Sequence, residues 1–465
     1  MPVAMIASIL DVGREPRQPV FWEADGTLVR MAEFRRMVTL LTGKLRIDDA
    51  AVIALCFEHS GWMAAALLAA IYARKSVVIP HHHRPMVLRE HTDGVDRFLA
   101  DMDLELGKPF WNVRRFQDQD RLPELPPWPE TGLVIFQTSG STGTPKSIPK
   151  QLDQLERENT VHANHWGLRL RECRVVGTTS HQHLYGLQFR VLLPLSLGCP
   201  FNAKTLEYQE ELRSFAGKRY ALISSPAFLK RLAGEGATPV CEFIVSAGGV
   251  LPPETAHRAR EILGMAPFEI YGSTEAGAIG WRDTGEGSRP WRPFPGVAVE
   301  CDPEGRLWVR SDFLPDDSLL RTDDRGSLCG DGFVLEGRMD RILKIEEKRI
   351  SLDEVEHRIQ ALPFVKDAAV VPIERNSRVF LGAVMVLADS GIQLRETLGE
   401  GKFMLAMRRH LFPVLESVAV PRHYRVVDAI PLNSMGKREI AELRALFQDA
   451  ESHPGVTAPK DSPDA

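Results

Sequence analysis

Short apolar runs rich in valine and isoleucine alternate with longer stretches of helical character through the first two thirds of the chain. Ala51 to Phe57 reads as a strand, Trp62 to Ala73 as a buried helix and Val77 to Ile79 as a second strand, with proline and glycine punctuating between them. The rhythm resumes at Leu133 to Phe136, Val175 to Thr179, Ala221 to Ile223, Phe243 to Ser246 and Phe268 to Tyr271. Repeated strand–helix units of this kind predict an α/β fold, mostly parallel in its sheets, with helices on both faces. After about residue 290 the alternation gives way to PWRPFPG and short strand-like pieces at Leu307 to Val309 and Phe333 to Leu335, which predict a β-rich lobe. From Arg338 onward a compact set follows: strands at Ile342 to Ile345, Ala368 to Val371 and Val379 to Val386, a helix at Leu352 to Ile359, and a last helix from Arg438. The expected domains are therefore a large N-terminal unit over 1–337 and a small α+β unit over 338–450, with a Pro-rich, polar and disordered tail over 451–465.

Composition sharpens this. A chain of 465 residues, 44% hydrophobic and 26% charged, exceeds what a single core organises. Its net charge of −5 supplies no global basic field, so nucleic acid is not an expected partner. The six cysteines are scattered without a CxxC pair, which argues against a zinc site or a disulfide framework and fits the cytoplasm. The N-terminus lacks a basic leader, and the apolar run from Trp62 to Ala73 is too short to span about 30 Å of hydrocarbon, so no membrane span is expected. His81, His82 and His83 are consecutive, and neighbouring side chains of an extended segment diverge, so they predict a solvated loop cluster rather than a metal site.

The strongest chemical signal is Thr138-Ser139-Gly140-Ser141-Thr142-Gly143-Thr144-Pro145-Lys146, placed directly after the strand-like LVIF. Small hydroxyl residues and glycines let amides and OH groups approach phosphate oxygens, and Lys146 adds a cation. Thr144 and Pro145 separate Gly143 from Lys146, so this is not a Walker loop, which disfavours a P-loop phosphotransferase. A plain Ser/Thr/Gly surface linker is the structural alternative.

Further motifs follow in order: Tyr271-Gly272-Ser273-Thr274-Glu275, Thr322-Asp323-Asp324, Gly337-Arg338-Met339-Asp340 and Pro431-Leu432-Asn433-Ser434-Met435-Gly436-Lys437. With the hydroxyl-rich loop they resemble the YGxTE, TGD, GRxD and PxNxxGK signatures of the acyl-adenylating superfamily: acyl-CoA and aryl-CoA synthetases, luciferases and peptide-synthetase adenylation domains. The resemblance covers about residues 130 to 440.

That resemblance implies an ATP-dependent carboxylic acid ligase that forms an acyl-AMP, then a thioester with CoA or a phosphopantetheine carrier. An acyl carrier protein is one such partner. In this scheme Thr138, Ser139, Gly140, Ser141, Gly143 and Lys146 cradle phosphates, and Thr142 joins the catalytic set. Thr274 and Glu275 hold Mg²⁺, since a hard cation prefers oxygen ligands. Tyr271 with Gly272 and the turn containing Gly248 flank adenine, while Asp324 and Arg338 hold the ribose. Lys437 stabilises charge building on the α-phosphate. His183, in SHQHLYGL, resembles the histidine of HxxG and flanks the acyl carboxylate; a core histidine is the alternative. Asp340 occupies the hinge position about which the C-terminal unit swings between half-reactions.

The stretch from Ser180 to Pro200 has no acidic residue to bind an α-amino group, and Tyr185, Leu187, Phe189 and Leu192 predict an apolar wall. An aryl or a fatty/hydroxyacyl acid is therefore the expected substrate. The chain departs from the family pattern at Glu347, where glycine is usual beside the pantetheine tunnel, and at Asp323, which replaces the glycine of TGD. A catalytically silent nucleotide-binding regulatory protein of the same fold is the alternative reading. The presence of Thr142, Glu275, Asp324, Arg338 and Lys437 together speaks against it.

Overall fold

The computed structural model describes residues 5–11, 13–80, 88, 93–116, 122–138, 146–234, 238–287, 290–345, 348–375, 378–432 and 438–447. The apolar runs become strands close to where the pattern placed them, and they sort into two large sheets. In the six-stranded sheet the order is Phe110–Asn112, Arg97–Ala100, Val52–Cys56, Ser76–Ile79, Leu133–Thr138 and Lys146–Gln151, parallel throughout except for the last pair. The nine-stranded sheet has a parallel centre of Arg174–Gly177, Tyr220–Ser224, Phe243–Ala247 and Phe268–Ser273, with antiparallel edges.

Burial on both faces explains why these strands read as unbroken apolar runs. Ala221, Ile223, Phe243 and Val245 face the main core, while Leu222 and Ile244 point the other way, into a second cluster with Leu212, Leu229 and Leu263. The main core lies between the sheets, joining Ile53, Leu55 and Val134 of one to Val175, Ile223 and Phe268 of the other. Helix Ser60–Tyr72 runs through it with nearly every residue buried, and its first turn is capped by His59, whose side chain accepts from the Trp62 amide.

Two long helices, absent from the expected elements, complete the N-terminal unit. Met31–Ile47 buries Met31, Phe34, Val38, Leu41 and Leu45, the i, i+3, i+7 spacing of an amphipathic helix. Leu152–Leu170 hides its stripe more thoroughly, because the buried face includes Gln154, Glu158, Asn159 and His162 beside Leu155 and Trp166.

The β-rich lobe is a four-stranded antiparallel sheet of Val297–Cys301, Arg306–Ser311, Leu320–Cys329 and Gly332–Arg338. Beyond it, Ile342–Ile345 pairs with Lys348–Ser351, and a separate three-stranded sheet of Val365–Arg375, Arg378–Leu387 and His423–Val426 carries helices on both faces. A large α/β unit with parallel sheets thus precedes a smaller C-terminal one. The helix expected from Arg438 starts at Ile440; Arg438 instead bridges Leu432 in antiparallel fashion. The expected tail, 451–465, lies outside the described residues. Among the described residues no helix is long and apolar enough to cross a membrane.

Candidate active site

The parallel strands of the nine-stranded sheet end together, and the loops beyond their carboxyl ends carry the motif residues, the usual place for a ligand in such sheets. Strand Phe268–Ser273 delivers Tyr271, and Thr274 and Glu275 follow in the turn to Gly277–Asp283. Strand Phe243–Ala247 leads into Gly248, which adopts φ +90, a left-handed conformation that favours glycine, with open space around it.

The β lobe brings the carboxylate. The Tyr271 hydroxyl donates to Asp324 Oδ2 at 2.6 Å, and Arg338 Nη1 lies 3.7 Å from Asp324 Oδ1. Asp324 and Arg338 are directly paired across neighbouring strands, which is why two motifs fourteen positions apart converge. Burial, together with the adjacent carboxylate, pushes the Tyr271 phenol well above its usual range, so the phenol stays a donor. Its ring packs against Trp291 and Phe333 at 5.8 and 5.7 Å between centroids. Sequence reasoning assigned Tyr271 to adenine and missed that its hydroxyl orients the carboxylate.

Asp323 faces away from its neighbour Asp324. Side chains alternate along a strand, so it points away from the Tyr271 side, and its carboxylate lies 3.3 Å from Arg306 Nη1. Its added charge is met on the opposite face from Asp324.

Gly272 is set by sterics. A Cβ there would stand 2.4 Å from the Gly277 carbonyl oxygen and 3.0 Å from Ala278 Cα, both backbone atoms of the paired strand. Gly272→Ala is expected to force the turn open, lowering Tm and weakening nucleotide binding by about tenfold, a loss of about 1.4 kcal/mol. Thermal unfolding and AMP titration of the variant check this, and unchanged values for both would contradict it.

Thr138 and Lys146 are paired across the hairpin formed by Leu133–Thr138 and Lys146–Gln151, so they close the base of the hydroxyl-rich loop. Ser139, Gly140, Ser141, Thr142 and Gly143 lie outside the described residues, as do His81, His82, His83, Glu347 and Lys437.

His183 occupies the position before the short helix Leu184–Leu187, without a side-chain capping bond, and is half-buried. The core histidine of this segment is His181, whose ring bonds Ser60 Oγ at 3.1 Å and the Phe57 carbonyl at 2.8 Å. The expected apolar wall requires correction. Leu187, Phe189 and Leu192 are at most 1% exposed and belong to the main core. Of the four named residues Tyr185 alone retains exposed surface, and its hydroxyl donates to the carbonyls of Ser224 and Val245 at 3.1 and 3.0 Å. The physical reason is that helical residues 184–197, which include a wide π turn at Gln188–Leu192, are packed between the two sheets. The same stretch hides Arg190, which donates to the Thr179 carbonyl, to Thr205 Oγ1 at 2.9 Å and to Ser60 Oγ at 3.0 Å; burial lowers its pKa to about 10.

The residues of three motifs thus gather at the carboxyl ends of parallel strands, where the β lobe supplies an oriented carboxylate. A model of the AMP-binding enzyme family matches residues 86–312, and one of the AMP-binding enzyme C-terminal domain matches 354–437. The chain belongs to the AMP-binding enzyme family. It is 30% identical over 372 residues to a 4-coumarate–CoA ligase of Halorhodospira halophila, covering 75% of this chain and 83% of that one. It is 25% identical to a D-alanine–D-alanyl carrier protein ligase of Staphylococcus aureus, over 68% of this chain and 71% of the relative. The fold is shared with ATP-bound MatB from Rhodopseudomonas palustris, at a TM-score of 0.79 and 19% identity over 96% of this chain and 99% of that one.

Proposed function

We propose that this chain activates an aryl carboxylic acid with ATP and transfers the acyl group to the thiol of CoA or of a phosphopantetheine carrier. One oxygen of the acid attacks the α-phosphorus, the bond to the bridging oxygen breaks and pyrophosphate leaves. The thiolate then attacks the carbonyl carbon of the mixed anhydride, and AMP departs.

The observation that carries the reading is the Tyr271–Asp324–Arg338 constellation. Asp324 is held to accept from ribose hydroxyls, with Tyr271 fixing its orientation and Arg338 balancing its charge. Thr274 and Glu275 offer a hydroxyl and a carboxylate on a half-buried turn, a donor set that fits a hard divalent cation. Mg²⁺ bound there would offset charge on the departing pyrophosphate. Thr138 and Lys146 frame the phosphate loop, Gly248 leaves room for the base, and His183 flanks the acyl carboxylate. An aryl acid is favoured over a fatty or hydroxyacyl one by the relatives named 4-coumarate–CoA ligase. An α-amino acid lacks a counter-charge in Ser180 to Pro200. A silent regulatory protein is not favoured, because the relatives are named as ligases.

Pyrophosphate release across aryl, short-chain and long-chain acids tests the proposal, with aryl acids expected to be turned over fastest. Acid-independent background for every class would refute it. Following a labelled acyl group onto CoA and onto a holo carrier protein distinguishes the two acceptors. Asp324→Asn is expected to raise KM for ATP by about tenfold or more, since it removes a charge-assisted bond of about 1.5–3 kcal/mol. An unchanged KM would detach the residue from the ribose.

A further inference from the structure

Two buried charged groups lie beneath the turn that carries Thr274 and Glu275, and no motif pointed to either. Lys150, on strand Lys146–Gln151, is 1% exposed. Its Nζ donates to the main-chain carbonyl of Glu275 at 2.6 Å and to that of Phe313 at 3.0 Å. Gln154 Nε2 supports the same Phe313 carbonyl at 2.8 Å. Glu158, on the helix Leu152–Leu170 that follows this strand and 3% exposed, accepts from the Ala278 amide at 2.8 Å through Oε1. The carboxylate also fills the space under Gly277: a Cβ on that residue would lie 3.0 Å from Glu158 Oε2. His162 Nε2 stands 3.6 Å from Oε1 on the following turn of the same helix.

The turn is therefore held at its middle carbonyl by a cation and at its exit amide by an anion, both from the segment that leaves the phosphate loop. Burying an ammonium and a carboxylate is costly, and apolar residues of similar volume would pack there with less penalty. Desolvation lowers the pKa of Lys150, opposed by Glu158 and Glu275. What the arrangement provides is rigidity: Lys146 closes the loop hairpin, and Lys150 on the same strand ties it to the carboxylate turn.

We infer that Lys150 and Glu158 are positioning residues that lock the Thr274–Glu275 turn to the phosphate-loop hairpin, so that its hydroxyl and carboxylate are preset for the metal-bound triphosphate. The inference rests on the proposed metal role of Thr274 and Glu275. It concerns binding of the triphosphate end of ATP and leaves adenosine recognition by Tyr271 and Asp324 alone.

The test is Lys150→Met in the full chain, titrated calorimetrically with Mg·ATP and with AMP. The expected result is a Kd for Mg·ATP raised about tenfold with the Kd for AMP within about twofold, the effect of losing one charge-assisted hydrogen bond that orients a ligand. Glu158→Gln retains an acceptor for Ala278 and is expected to shift Mg·ATP binding by less than about threefold. Equal weakening of both nucleotides in Lys150→Met, or no change in either, overturns the inference while leaving the proposed activity intact. If the wild-type protein binds ATP no better with Mg²⁺ than with a chelator, the metal role itself falls and the inference with it. Amide exchange of the wild-type protein gives a measurement independent of how the variant folds: Ala278 is expected to exchange as slowly as the core strands, and exchange at loop rates would overturn the grip.

Discussion

Lys437→Ala is expected to slow acyl-adenylate formation by about 10² to 10³-fold, a loss of about 3–4 kcal/mol of transition-state stabilisation. As the acid attacks the α-phosphorus, negative charge accumulates on the phosphate oxygens, and a fixed ammonium stabilises it more than it does the ground state. The neighbouring residue is anchored within the C-terminal unit. Arg438 bridges Leu432 and sends its guanidinium to Glu356 Oε2 at 2.8 Å and Asp367 Oδ1 at 2.7 Å. Glu356 also accepts from Arg341 at 2.5 Å and from the Val370 amide at 2.7 Å. The residue after Lys437 is thus tied to helix Leu352–Gln360 and, through Glu356, to Arg341 beside the expected hinge at Asp340. Single-turnover pyrophosphate release measures the adenylation step, and thioester formation from supplied acyl-AMP measures the second. The first is expected to collapse and the second to stay within about threefold, because the role proposed for the lysine is confined to adenylation. A loss of less than about tenfold in the first step would remove Lys437 from the α-phosphate.

Gly186→Ala is expected to be the most disruptive of the conservative substitutions near the site. Its Cβ would stand 1.9 Å from the Ser180 carbonyl oxygen and 3.2 Å from His181 Cα, and backbone cannot yield as a flexible side chain does. The cost is about 3 kcal/mol, the upper end for overpacking, together with displacement of the helix start that directly follows His183. This gives the glycine of the HxxG-like segment a physical reason: helix Leu184–Leu187 sits directly on the preceding turn. The variant is expected to show a lower Tm and, where it folds, a raised KM for the acid. Gly401→Ala is the control, since it lies in helix Glu400–Leu411 with nothing within 4 Å of the added Cβ. It is expected to be neutral or stabilising by up to about 1 kcal/mol. Equal Tm values for the two variants would contradict the steric account.

Much of the architecture was legible because its strands are buried on both faces and so appear as plain apolar runs, as at Tyr220–Ser224 and Phe243–Ala247. The helix at Leu152–Leu170 was not, because its inner face carries Gln154, Glu158 and His162 where a periodic pattern expects apolar side chains. The apolar wall failed for a related reason. Hydrophobicity identifies residues that avoid water, and it does not separate a pocket lining from a core, which is where Leu187, Phe189 and Leu192 lie.

The candidate site divides the same way. Short motifs are local, so the order of local signals along the chain is enough to single out Tyr271, Thr274, Glu275, Asp324 and Arg338. Their working geometry is long-range. Tyr271 meets Asp324 across fifty-three positions, Lys150 meets Glu275 across one hundred and twenty-five, and Asp323 finds Arg306 on the face opposite its neighbour. The chain alone determined the strands, the family and the chemistry on offer, because periodicity and motif spacing are properties of neighbours. Only the tertiary structure decided which charges are buried together and which backbone they hold, because those contacts follow from how two sheets and a β lobe pack.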